Sequence, residues 1–228
     1  MRLNGKHITE YNATLLDRNI SANRVSLNAS WDYMQDRPYF YGASLEFKDV
    51  LLYLLVEAST EEQFLKTMGE ISEVFRKGAT VVFDDINLTY TFYLKQKPEY
   101  TKLNPTSYRL DFVLEGDYGV SDAKSVVGTT SATVINEGVY PTPVKLTLKV
   151  PAMQSSFKIT GFNHDIVLVN TPTDATIEID SQEGTILVNG ENGIEHMKSF
   201  YFPRLNVGAS YIQSTVDCSM TINYSERF

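Results

Sequence analysis

Few residues in this sequence are placed to do chemistry. His164 and Asp165 are adjacent within Gly161-Phe162-Asn163-His164-Asp165. An imidazole oriented by a carboxylate becomes catalytic only beside a nucleophile, and no motif supplies a Ser or Cys there, so the pair reads as a turn between strands. Asp84-Asp85 and Asp174/Asp180 offer oxygens of the kind that bind Ca²⁺. No loop has the D-x-D-x-D-G spacing that delivers several such oxygens at once. Cys218, the single cysteine, alternates with Val216, Met220, Ile222 and Tyr224, which puts its thiol on the core side of a strand. One cysteine forms no intrachain disulfide. Glycoside hydrolysis needs only two carboxylates, but nothing selects a pair among 28 acidic residues. GxGxxG, P-loop, HExxH and CxxC patterns are all missing. The expectation is a protein that is not an enzyme, with no catalytic, cofactor-binding or metal-binding set.

Composition narrows the class. The 228 residues are 43% hydrophobic and 21% charged, which is globular rather than disordered. The net charge of −8 is spread over both halves and argues against specific nucleic-acid binding, which needs clustered Lys and Arg. No apolar run approaches the roughly 20 residues of a membrane span, so no membrane insertion is expected. The opening Met1-Arg2-Leu3-Asn4-Gly5-Lys6-His7 lacks the apolar stretch of a secretory signal. The N-x-S/T sequons at Asn12, Asn28, Asn87 and Asn223 therefore carry no glycosylation claim.

The elements that must position these residues divide near the middle. Residues 1–122 read as an N-terminal β-domain with a helix over 60–77, residues 123–133 as a linker rich in small residues, and residues 134–228 as a C-terminal domain. Ser59-Thr60-Glu61-Glu62 predicts a capping box on Ser59 and Glu62. Phe64, Leu65, Met68, Ile71, Val74 and Phe75 follow at helical spacing, and Gly78 can close the helix. So short an amphipathic helix must dock on a sheet. Its partners are the apolar run 49–58 and the alternating segments 87–94 and 107–115, where Tyr108, Leu110, Phe112 and Leu114 point inward. Residues 18–43 and 96–106 read as long segments bearing Trp31, Tyr33, Tyr39, Phe40, Tyr41 and Tyr100. Such aromatics serve either an interface or the domain's own core.

The second half has no helix signal. Val144, Leu146, Leu148 and Val150 alternate with polar residues, and Ala175–Asp180 and Thr185–Asn189 flank the turn Ser181-Gln182-Glu183-Gly184. Many short strands with turn signals between them predict an antiparallel β-sandwich. The fold class is mainly β, with an α+β first half.

The order of signals from 134 onward carries a resemblance. Gly138-Val139-Tyr140-Pro141-Thr142-Pro143 leads into a strand, and Ile177-Glu178-Ile179-Asp180 precedes a turn at Gly184. Val188-Asn189-Gly190, then Phe202-Pro203-Arg204-Leu205 with Gly208, and a final alternating strand complete the series. This resembles the distal tail proteins of long-tailed, siphovirus-type bacteriophages. The resemblance implies a structural virion protein with a galectin-like or carbohydrate-module-like C-terminal sandwich. It implies a homo-oligomeric ring, a hexamer, at the distal end of the tail. The ring would join the tail tube to tail-tip, hub, receptor-binding or baseplate proteins, with DNA passing through its channel, and would assemble in the bacterial host cytoplasm. The competing reading is a carbohydrate-binding β-sandwich for host-surface adhesion, with Tyr140, Phe200, Tyr201 and Tyr211 as candidate platform residues.

Overall fold

The computed structural model describes residues 1–30, 39–199 and 201–228, with backbone alone for residues 25, 27–30 and 39–45. Trp31, Tyr33 and Phe200 therefore lie outside the described residues, as do the side chains of Tyr39, Phe40 and Tyr41. Contacts divide the chain into two units, Met1–Gly119 and Val120–Phe228.

The first unit contains β1 (Arg2–Leu3), β2 (Lys6–His7), β3 (Ala13–Ile20), β4 (Val25–Ser30), β5 (Tyr39–Leu45), β6 (Lys48–Glu57), α1 (Glu61–Arg76), β7 (Ala79–Val82), β8 (Thr89–Leu94), β9 (Glu99–Asn104) and β10 (Ser107–Gly116). Its sheet runs β2-β1-β7-β8-β10-β6-β3, and β4 and β5 form a separate hairpin. β10 organises the whole: one edge pairs β6 from Ser107↔Glu57 to Gly116↔Lys48, while β9 and β8 share the other. All these pairings are antiparallel.

Alternation decides which face is buried. Val50, Leu52, Leu54 and Val56 on β6 and Tyr108, Leu110, Phe112 and Leu114 on β10 point into one core. The apolar run 49–58 is thus buried on one face, with Leu51, Tyr53 and Leu55 half-buried on the other. α1 covers the buried face. Phe64 stacks on Tyr108 with ring centroids 4.1 Å apart, and Phe75 meets Phe112 at 5.2 Å. Ile71 is fully buried between them, Met68 and Val74 only partly, and Leu65 is exposed. The helix cap sits one residue later than the sequence suggests. Thr60 accepts from the Gln63 N–H, and the Gln63 side chain reaches back to the Ser59 N–H. Gly78 follows with φ +90, a conformation glycine adopts without strain. The stretch 96–106 is not a loop: its residues 99–104 are β9, a hairpin partner of β10.

The second unit contains β11 (Lys124–Thr129), β12 (Ser131–Asn136), β13 (Thr142–Val150), β14 (Gln154–Thr160), β15 (Ile166–Thr171), β16 (Ala175–Asp180), β17 (Thr185–Val188), β18 (Glu191–Asn192), β19 (Arg204–Leu205), β20 (Gly208–Ser214) and β21 (Ser219–Tyr224). The path β15-β14-β20-β12-β11-β21-β13-β16-β17-β18 folds over a single core. The fold line is the corner between β11 and β12, which pair only at Thr129↔Ser131. This corrects the expected linker at 123–133. Those residues are two strands of the sandwich, β11 pairing along β21 and β12 along β20. Small residues mask them in the sequence, and at Gly128 the close approach of the Ser131 backbone leaves no room for a side chain.

Among the described residues, no helix is long and apolar enough to cross a membrane.

Candidate assembly site

The residues that suggested chemistry are placed apart. His164 stacks on Tyr201, while Asp165 pairs with Lys158 at 2.5 Å. Asp85 takes a two-pronged bond from Arg18 at 2.8 and 2.7 Å, which holds its carboxyl below the usual range. Asp84 pairs instead with the Met1 ammonium. The Asp180 carboxylate accepts from the Gln182 and Glu183 N–H groups and so shapes a turn. Asp174 sits at the other end of the same strand. Cys218 is buried, and burial pushes its thiol up. Glu195-His196 is a second adjacent His–carboxylate pair that the sequence reading passed over. His196 Nδ1 lies 3.1 Å from the Val169 carbonyl, a structural contact. Among the described residues no three His, Cys, Asp or Glu side chains converge as a metal site would require.

What the first unit does present is unpaired backbone. The run β9-β10-β6-β3 ends on two strands that each pair along one edge only among the described residues. Every residue of β9 is exposed. A free edge is a row of N–H and C=O groups that can accept another strand, and proteins leave one open only where a partner covers it or charges guard it. Each edge carries a half-exposed apolar side chain, Leu16 on β3 and Leu103 on β9.

The face of this run away from α1 mixes half-buried Leu51, Tyr53 and Leu55 with paired charges. Arg109 lies over the Tyr53 ring at 4.6 Å and bonds Asp111 at 2.8 Å. At the far end Asp49 sits between Lys95 (2.7 Å) and Arg24 (2.5 Å), and these two cations hold its carboxyl below the usual range.

The second unit is closed by side chains where its strands diverge. Glu226, with a side chain only 4% exposed, accepts from the Lys124 ammonium (2.7 Å) and the Glu137 N–H (2.9 Å). Asn136, also buried, accepts from the Gly138 N–H and donates to the Tyr140 and Asn206 carbonyls. At the other end of the strands, an open cavity of about 550 Å³ lies over Val150, Pro151, Ala175 and Cys218, rimmed by Thr130, Lys149, Asp174 and Asp217.

The model of the siphovirus-type tail component, C-terminal domain, matches residues 137–228. The matched segment covers the second unit except its first residues, which include all of β11 and β12. The fold of the whole chain is that of the bacteriophage SPP1 Dit protein, described as a paradigm of the hub adsorption apparatus in phages infecting Gram-positive bacteria. The two share a TM-score of 0.80 at 13% identity, over 99% of this chain and 97% of that one. Two structures of the activated phage P2 baseplate, with Ca and with Sr, match at TM-scores of 0.43 and 0.41 and identities of 7% and 8%, each over 95% of this chain and 91% of the other. No curated protein sequence matches the chain.

Proposed function

We propose that this protein is a structural hub at the distal end of a siphovirus tail, where its first unit closes a hexameric ring and its tail-component domain carries docking surfaces for tip, baseplate or receptor-binding proteins. The family match over residues 137–228 carries this reading. The open edges of β3 and β9 support the ring: head-to-tail pairing that closes by rotation removes every free edge at once. With α1 filling one face, such a ring turns the opposite face, bearing Tyr53, Arg109 and Asp111, toward its lumen. The excess of acidic residues suits a wall that lets DNA pass without holding it. The protein then works in the virion tail after assembly in the host cytoplasm, and no step of that work needs a catalytic group.

The test is mass by light scattering over a concentration series, with electron microscopy of assembled tails. A ring at the tail end that carries this chain is expected. A strictly monomeric protein at high concentration, with no ring on the tail, overturns the proposal.

A further inference from the structure

The tail-component domain carries an aromatic pair that its own core does not use. Tyr201 is 62% exposed, and its ring lies 4.4 Å from that of His164, itself exposed, at an interplanar angle of 29°. Two rings stacked outside the core leave the far face of the tyrosine open to solvent. Both are mounted on rigid supports. The His164 turn is anchored by buried Phe162 on one side and Ile166 on the other. Tyr201 is followed by Phe202, packed on the core, and by buried Pro203. The two segments are tied by a reciprocal pair of bonds: Asn163 N–H to the Arg204 carbonyl (3.0 Å) and Arg204 N–H to Asn163 Oδ1 (2.7 Å).

We infer that this pair is a stacking platform for a pyranose ring, a saccharide site on the outside of the domain. The apolar C–H face of a sugar lies on an open aromatic ring, and its hydroxyls need donors and acceptors at the rim. Both kinds are at hand. The half-exposed Lys158–Asp165 ion pair, next to His164 in the chain, offers a donor and an acceptor that a sugar hydroxyl can share, and the exposed Arg204 side chain, three residues after Tyr201, supplies further donors. Nucleic-acid stacking also uses open rings, but it requires a basic groove that tracks a backbone, and the net charge of −8 opposes one. The rigid mounting lowers the ordering cost of binding, as in other preorganised sites. The inference is independent of ring formation, so either can fail without the other.

The test uses the full chain on an array of neutral and anionic hexose and N-acetylhexosamine oligosaccharides. Hits are followed by ¹H–¹⁵N NMR titration. The expected result is binding to at least one oligosaccharide, with shift changes confined to the 162–165 and 201–204 segments. Tyr201→Ala should weaken that binding at least tenfold, whereas Tyr201→Trp should retain it, and circular dichroism should show both variants folded. Three results would overturn the inference: no binding across the array at millimolar sugar, binding that Tyr201→Ala leaves unchanged, or tighter binding to a single-stranded oligonucleotide than to any sugar.

Discussion

The Tyr224 hydroxyl donates to the carbonyl of Ile135, 89 residues away in sequence, at 2.8 Å. It does so where β11 and β12 have already parted, so a side chain from β21 satisfies a backbone group that no strand reaches. Tyr224→Phe keeps the packing and removes this bond. It should lower the stability of the second unit by about 1 kcal/mol. Urea denaturation checks the loss, and amide exchange along β12 should quicken.

Glu226 makes acid sensitivity local to the same seam. Burial pushes its carboxyl up, but the Lys124 ammonium and the Glu137 N–H outweigh burial and leave it below the usual value of 4.5. A carboxyl depressed by folding stabilises the protein above its unfolded value, and that contribution is lost as pH falls through the folded one. Stability should therefore hold from neutrality to about pH 4.5 and decline below it. Glu226→Gln should flatten that decline while lowering stability at pH 7. Denaturation midpoints across a pH series read both effects.

The helix stripe is uneven, and its variants should be too. Ile71→Ala or Phe75→Ala should each cost about 2–5 kcal/mol, because both side chains are fully buried. Met68→Ala should cost less than either, and Leu65→Ala should fall within about 0.5 kcal/mol of the parent. Thermal melts of the four variants give the ranking.

Gly161 has φ +98, and a Cβ there would come within 2.0 Å of the Tyr211 carbonyl oxygen. Gly161→Ala therefore meets both backbone strain and a backbone clash. It should destabilise the second unit by at least about 2 kcal/mol. A melting transition unchanged by the substitution would contradict this close approach of strand and turn.

Leu16→Asp and Leu103→Asp place a charge on each free edge of the first unit. Both leucines are half-exposed, 50% and 54%, so folding should tolerate the change. Assembly should not, because edge charges block strand addition. The double variant is expected to stay monomeric by light scattering at concentrations where the parent associates, with an unaltered melt.

How much was legible follows from burial. β10 shows itself in the sequence because Tyr108, Leu110, Phe112 and Leu114 alternate with polar residues, and that alternation is the physical signature of a one-faced strand. β9 is hidden because all six of its residues are exposed, so no pattern distinguishes inside from outside, and Pro98 and Pro105 flank it as they would a loop. The helix was legible to within one residue of its cap, since Ser59 and Thr60 are both competent to cap and only geometry picks Thr60. The ion pairs were not legible at all. Arg18 finds Asp85 across 67 residues, and nothing local to either announces the other. The aromatic pair His164–Tyr201 is likewise a product of two turns brought together, although Tyr201 alone was already a candidate.

The strand run β9-β10-β6-β3 has one more property. Its members alternate in direction at every step, and there are four of them. An even number means that the two outermost strands run opposite ways. Copies laid side by side then meet antiparallel at each seam, with the hydrogen-bond pattern found inside each subunit. A run of three or five would alternate correctly within one copy and place parallel neighbours at every junction. Parity thus lets the sheet be extended by whole subunits without a change of hydrogen-bonding grammar, whatever the number of copies.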